Sequence, residues 1–268
     1  MTSLAEHHSS HIVKLLYIGD SGTGKTGSLT SLVKAGYRLR ILDCDNGLDV
    51  LVQFIMWDCP EKIKNVDYET RRDKFKASPV GPVISGSPRA FIDCLGLLTK
   101  WSDGTIPSDW NSDTVMVIDS FSGLASAAFE WAKGMNPSAK DPRQWYFMAQ
   151  QALEKVIDML TGAGFASNVI IISHIDYKER EDGITKGYAR AVGSALGPII
   201  PKYFNTVLLC ETKGTGAKTQ RMIKTLPTGV VDLKTPAPFK LNQDLPLDTG
   251  LATVFEVLKS SAVLTSKT

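Results

Sequence analysis

Gly19-Asp20-Ser21-Gly22-Thr23-Gly24-Lys25-Thr26 fills every fixed position of the pattern G-x-x-x-x-G-K-[ST]. In such a loop the glycines let successive backbone N–H groups turn inward and wrap a chain of phosphates. Lys25 can then reach the β- and γ-phosphates, the Thr26 hydroxyl can hold a magnesium ion, and Gly27 continues the cradle. The chemistry these types and spacings suit is capture of a nucleoside triphosphate with Mg2+. The competing reading, a glycine-rich turn that matches by accident, is weakened by what flanks it.

Ile12 to Ile18 reads as a buried strand running straight into the loop, and Lys25 to Val33 as a helix stopped near Gly36. Strand, loop and helix in that order bring the positive end of the helix to the phosphates. Tyr37 to Asp43 predicts a second strand, which ends in the acidic cluster Asp43-Cys44-Asp45, where open α/β sheets face their ligands. Thr114-Val115-Met116-Val117-Ile118-Asp119-Ser120 is an apolar run closing on one acid, the shape of a central parallel strand and of a Walker B segment. Val169 to His174 reads as a further buried strand.

Between these lie a helical stretch over 48–58 and a charged, Pro/Gly-punctuated stretch over 59–87, expected as a surface insertion without assigned structure. A helix is predicted from Ser87-Pro88 to near Trp101, with Phe91, Leu95 and Leu98 on one face. Another runs from Asp141-Pro142 to about Leu160, with Trp145, Ala149, Ala152, Val156 and Met159 as its apolar stripe and Gly162 as its stop. Thr206–Cys210 and 220–225 suggest a strand pair, 226–248 an irregular strap, and 250–259 a terminal helix. Strands alternating with helices give an α/β fold with a mostly parallel central sheet, helices on both faces and a C-terminal antiparallel strand pair. The expected organisation is a disordered tail at 1–11, a core at 12–240 and a C-terminal extension at 241–268.

With 268 residues, 43% hydrophobic and 22% charged, the chain can bury a full core. Lys+Arg 30 against Asp+Glu 28 leaves +2, too balanced for a global electrostatic case for nucleic acid, so any basic surface must be local. No apolar run suits a membrane span and Met1 to His11 does not resemble a signal peptide, which makes the cytoplasm the expected compartment. Cys44, Cys59, Cys94 and Cys210 form no C-x-x-C pair and are read as reduced thiols, not zinc ligands.

Lys25, Thr26, Asp45 and Asp119 all sit at ends of predicted strands that open onto one crevice. Phosphoryl transfer to water needs a metal, neutralised charge and an oriented nucleophile. Asp119 fits as the magnesium carboxylate, on the ion or one shell behind it, and Asp45 as the group that orients or deprotonates the water. Other readings stay open: Asp119 as a strand-end turn residue, and Asp45 as the cap of a helix starting at Gly47.

From about Val13 to Phe239 the chain resembles the RecA-like ATPases, in particular the short phage-encoded RecA-like nucleotide-binding proteins associated with single-strand annealing and recombination. Ile41 to Asp49 is similar to the segment in which a catalytic glutamate follows the second strand, and Asp45 stands in that glutamate's place, one methylene shorter. The resemblance implies a RecA-like P-loop fold and ATP as the nucleotide. It also implies a role for His174, which falls where the family carries a glutamine that senses the γ-phosphate; a strand-end core histidine bonded to backbone is the alternative. By position, the segments Trp131–Arg143 (Lys133, Lys140, Arg143) and Asp176–Gly193 (Lys178, Arg180, Lys186, Tyr188, Arg190) match the family's DNA-facing loops, with a solvated lid as the alternative for the second. Lys202, Lys213, Lys218 and Arg221 lie where relatives supply cations to a neighbouring subunit's ATP, which implies a ring or filament.

The expectation is therefore a DNA-stimulated ATPase with catalytic Lys25, Asp45, Asp119 and His174, acting on single-stranded DNA. A nucleotide-switched loading module with negligible turnover, or a helicase or packaging motor domain, are the rivals.

Overall fold

The computed structural model describes residues 12–263, so the tail expected at 1–11 and the end of the extension, 264–268, lie outside the described residues. In chain order the strands are β1 (Lys14–Gly19), β2 (Arg38–Asp43), β3 (Val66–Thr70), β4 (Phe75–Lys76), β5 (Val83–Ile84), β6 (Thr114–Asp119), β7 (Asn168–Ser173), β8 (Ile175–Glu179), β9 (Thr185–Ala189), β10 (Thr206–Lys213), β11 (Gln220–Lys224) and β12 (Asp244–Pro246). The helices are α1 (Lys25–Ser28), α2 (Thr30–Lys34), α3 (Asp49–Asp58), α4 (Ala90–Thr99), α5 (Phe121–Met135), α6 (Arg143–Thr161) and α7 (Gly250–Val263). Leu29 keeps right-handed helical dihedrals (φ −58°, ψ −24°), so α1 and α2 form one run, and Gly36 (φ 94°) follows its end.

One eight-stranded sheet has the order β12-β11-β10-β1-β7-β6-β2-β3. From β10 to β3 all neighbours are parallel, while β11 and β12 add an antiparallel edge. Every residue of β1, β6 and β7 is buried, because helices cover both faces and the strands can be apolar throughout. Alternation persists inside these runs. Leu16, Ile18, Met116, Ile118, Val169 and Ile171 face α4, α5 and α6, whereas Leu15, Tyr17, Val115, Val117, Ile170 and Ile172 face α2, α3 and α7.

The structure departs from the sequence reading in several places. Within 59–87, expected to carry no assigned structure, β3 pairs in parallel with β2 from Leu39↔Val66 to Asp43↔Thr70 and extends the main sheet. Its sequence VDYET is half-buried and polar, as an edge strand can be, so no apolar run announces it. Helix α4 starts at Ala90, not at Ser87-Pro88, because the Asp73 carboxylate accepts from the Arg89 and Ala90 N–H groups and caps it from outside. Helix α5 is absent from the sequence reading, and it claims Trp131–Met135, which had been expected in a loop. In α6 the buried face is Ala149, Leu153, Val156, Ile157 and Leu160, while Met159 points to solvent, so the expected stripe is rotated. Residues of the expected extension, among them Leu245, Leu251, Val254 and Phe255, pack into the same core as β1. The four cysteines are buried free thiols. No helix among the described residues is long and apolar enough to cross a membrane.

One buried charge locks the sheet to its helices. The Lys14 ammonium at the start of β1 donates to the carbonyls of Leu160 (2.7 Å), Phe165 (2.7 Å) and Ser167 (2.9 Å), which join the end of α6 to the entry of β7. Lys14→Met leaves those acceptors without a donor, and the expected loss is about 3 kcal/mol in urea unfolding. A loss under about 0.5 kcal/mol would contradict this role.

Candidate functional site

The loop 19–26 leaves β1 at its C-terminal end and enters α1, and Gly22 (φ 77°) and Gly24 (φ 104°) take left-handed backbone that other residues rarely adopt. A Cβ at Gly24 would stand 2.6 Å from Leu247 Cδ2, so close approach as well as backbone conformation demands glycine there. The loop borders a cavity of 290 Å³ whose walls include Ser21, Gly22, Gly24, Lys25, Thr26, Gly27, Asp45, Asp119, His174 and Arg221. Gly19, Asp20 and Thr23 shape the loop from behind. The Gly19 and Asp20 carbonyls accept from Lys25 Nζ at 2.8 Å each, and Thr23 Oγ1 donates to the Asp20 carbonyl at 2.9 Å.

Thr26 Oγ1 donates to Asp119 Oδ2 at 2.7 Å. A hydroxyl and a carboxylate in contact are oxygen donors suited to a hard divalent cation, and with the loop amides they fit a metal-bound polyphosphate. Burial raises Asp119 to about 6, with the nearby Asp45 and Asp43 charges adding to it and the Thr26 bond opposing it. Burial lowers Lys25 in turn. Asp119, at the end of β6, thus stands at the cavity wall bonded across to Thr26.

Asp45 is positioned by its neighbour. Asp43 Oδ1 accepts from the N–H groups of Asp45 (3.2 Å) and Asn46 (2.7 Å), and Asp43 Oδ2 accepts from Thr70 Oγ1 (2.8 Å). This Asx turn, with Asn46 at φ 58°, swings Asp45 out of the strand line. Asp45 caps no helix: α3 begins at Asp49 with Leu48 as its cap residue and no side-chain cap bond. Its carboxylate lies instead over α5, where a Cβ built on Gly123 would meet Asp45 Oδ1 at 2.5 Å.

His174 follows the last residue of β7. Its backbone N–H donates to Ser122 Oγ at 3.1 Å, and its Nδ1 stands 3.3 Å from the same oxygen. The ring is half-buried at the cavity wall, with burial and then the Lys25 charge holding its pKa below the usual histidine range. Its side-chain partner is therefore a hydroxyl on the first turn of α5, not backbone.

The two segments expected as DNA-facing loops are not loops. Lys133 lies on α5 paired with Glu130 (2.9 Å), and Arg143 opens α6 paired with Asp141 (2.7 Å), leaving only residues 136–142 between helices. Residues 176–193 are mostly the β8–β9 hairpin, whose Lys186 pairs with Asp232, and Arg190, just past β9, pairs with Asp176 (2.8 Å). Tyr177 of that hairpin donates to Asp20 Oδ2 at 3.0 Å, a link to the phosphate loop that nothing in the sequence signalled. Of the expected trans-acting cations, Lys202 pairs with Glu154 and Lys213 with Asp244, while Arg221 lines its own chain's cavity. Sequence reading also missed Ser122 and the Arg71-Arg72 pair. An arginine doublet just past a strand end is a usable signal, but β3 itself had gone unseen.

Asp119 gives the site a pH signature. In the unfolded chain it titrates near 4, so between about pH 4 and 6 the folded protein holds a proton that the unfolded one has lost. Stability therefore falls as pH rises through that window, by roughly 2–3 kcal/mol in total, and is flat above it. Urea unfolding at pH 4.5 and 7 should show this component disappear in Asp119→Asn; an unchanged pH dependence in the variant would contradict it.

The sequence matches the family described as AAA domain over residues 11–237. Among curated proteins none matches. Similar solved structures include the flagellar accessory protein FlaH from Methanocaldococcus jannaschii, 9% identical over 87% of this chain and 83% of that one, with a TM-score of 0.44. They also include a KaiC-like protein from Pyrococcus horikoshii OT3 (12% identity, 79% and 77% covered, TM-score 0.40) and the RadB recombinase (15% identity, 82% and 91% covered, TM-score 0.43). The family match spans most of the chain and includes the phosphate loop, Asp45, Asp119 and His174: this chain belongs to the AAA domain family.

Proposed function

We propose that this protein is an ATPase that binds single-stranded DNA and couples ATP turnover to that binding during recombination or annealing, assembling on the strand as a ring or filament. Phage origin belongs to the same reading, through the relatives that residues 13–239 resemble. Lys25 leaves the Gly19 and Asp20 carbonyls to meet the β- and γ-phosphates. Thr26 and Asp119 hold Mg2+, which supplies charge neutralisation at the transferring phosphate. Asp45 orients the attacking water and takes its proton, and His174 donates to a γ-phosphate oxygen with Ser122 fixing its ring. The ATPase core is assigned to 12–240, with 241–268 as its extension.

One observation supports the nucleic-acid half of this reading above others. A cavity of 350 Å³ adjoins the nucleotide cleft, shares Asp45 and His174 with it, and is lined by Arg71, Arg72 and Arg190. It continues through Phe75, Ser122 and Arg190 into a second cavity of 380 Å³ beside Phe129 and Tyr146. Guanidinium groups with exposed aromatic faces suit a single strand, whose phosphates meet charge and whose bases stack. An occupant of this groove touches the two side chains that face the γ-phosphate. The hairpin bond from Tyr177 to Asp20 offers a further link. Asp45, one methylene shorter than glutamate, favours a second reading, a nucleotide-switched module with slow turnover.

Lys25→Ala is expected to abolish nucleotide binding, and Asp45→Asn to keep it while losing at least about tenfold in phosphate release. Normal hydrolysis in Asp45→Asn would remove that residue from catalysis. Single-stranded DNA should stimulate phosphate release in the wild type; stimulation that stays absent favours the slow module. Arg72→Ala and Arg190→Ala should each lower the salt slope of single-strand binding by about 1. Unchanged slopes in both would place the strand elsewhere.

A further inference from the structure

Arg221 opens onto the phosphate loop of its own chain. It lies on β11, opposite Thr212 of β10, and is exposed, yet its Cδ stands 3.3 Å from where a Cβ on Gly24 would be. Its surroundings are otherwise neutralised. Lys213 and Lys224 on the same strand pair share Asp244 and Glu211, and Lys25 is held by the Gly19 and Asp20 carbonyls. The Arg221 side chain alone of this group has no ion pair or hydrogen bond among the described residues.

Its side of the cleft is set by strand order. On one side of β1 lie β7, β6 and β2, whose C-terminal ends carry His174, Asp119 and Asp45, whereas β10 and β11 lie on its other side. The phosphate that reacts must face the first group, since the metal and water positions lie there. Arg221, beside Gly24 on the opposite wall, meets the phosphates that stay with the nucleoside. We propose that Arg221 binds the non-transferred phosphates of the nucleotide in its own protomer, as a ground-state clamp and not as a cation lent to a neighbour. The proposal rests on reading the 290 Å³ cavity as the nucleotide site.

A contact present equally before and during reaction changes affinity and leaves turnover alone. Arg221→Ala should raise the dissociation constants of Mg-ATP and Mg-ADP alike by about tenfold, the worth of a charge-assisted hydrogen bond, and raise KM in step. Turnover at saturating ATP should stay within about twofold, and Arg221→Lys should recover part of the affinity. The thermal midpoint should not move, because the side chain is exposed and carries no internal bond. Mixing Arg221→Ala with Lys25→Ala protomers then separates this chain from its neighbour: a clamp acting in its own protomer gains nothing from mixing.

Three outcomes overturn the proposal. They are nucleotide affinity in Arg221→Ala equal to that of the wild type, turnover that falls at unchanged affinity, and activity restored by mixing with Lys25→Ala, which assigns the guanidinium to the neighbouring site. A wild type that binds no nucleotide, indistinguishable from Lys25→Ala, overturns the underlying site assignment as well.

Discussion

Two charges drawn out of water at the ends of parallel strands set the terms for the rest of this molecule. Burial drives Lys25 down and Asp119 up, so each is pushed toward the neutral form. Under the proposed function, a polyphosphate with a divalent cation would offset both penalties at once. The oxygen donors Thr26 and Asp119, the glycine-formed concavity and the ammonium converge because β1 and β6 flank β7 in one sheet and end at the same level. Strand register is thus the device that brings residues 94 positions apart in sequence, Lys25 and Asp119, to one wall.

Around this centre lie polar contacts that join the cleft to neighbouring surfaces. Ser122 accepts from the His174 backbone and contacts its ring, which joins the first turn of α5 to the end of β7. Tyr177 holds the β8–β9 hairpin against Asp20 of the phosphate loop. Asp43 shapes the turn that presents Asp45 while gripping Thr70, which ties the Asp45 position to β3 and the arginines just beyond it. Together these bonds link the cleft to β3, α5 and the β8–β9 hairpin.

Much of the centre was legible in the sequence because its signals are local. The phosphate loop carries its chemistry in consecutive residues, and β1, β6 and β7 are unbroken apolar runs, as strands covered on both faces must be. What stayed hidden was decided by tertiary context. β3 is polar and half-buried at an edge, and the first turn of α5 carries Ser122 and Gly123, weak helix formers whose placement under His174 and Asp45 only packing reveals. The cap of α4 comes from Asp73, outside the helix, so no local pattern announces it. Arg221 reaches its own phosphate loop through the antiparallel return of β11 on β10, a relation that spacing along the chain does not encode.

The most direct test is a crystal structure with Mg2+ and a non-hydrolysable ATP analogue. The account predicts Lys25 Nζ released from the Gly19 and Asp20 carbonyls onto the terminal phosphates, and Mg2+ seated between Thr26 Oγ1 and Asp119 in place of their hydrogen bond. Analogue bound elsewhere, with Lys25 still on those carbonyls and Thr26 still donating to Asp119, would contradict it.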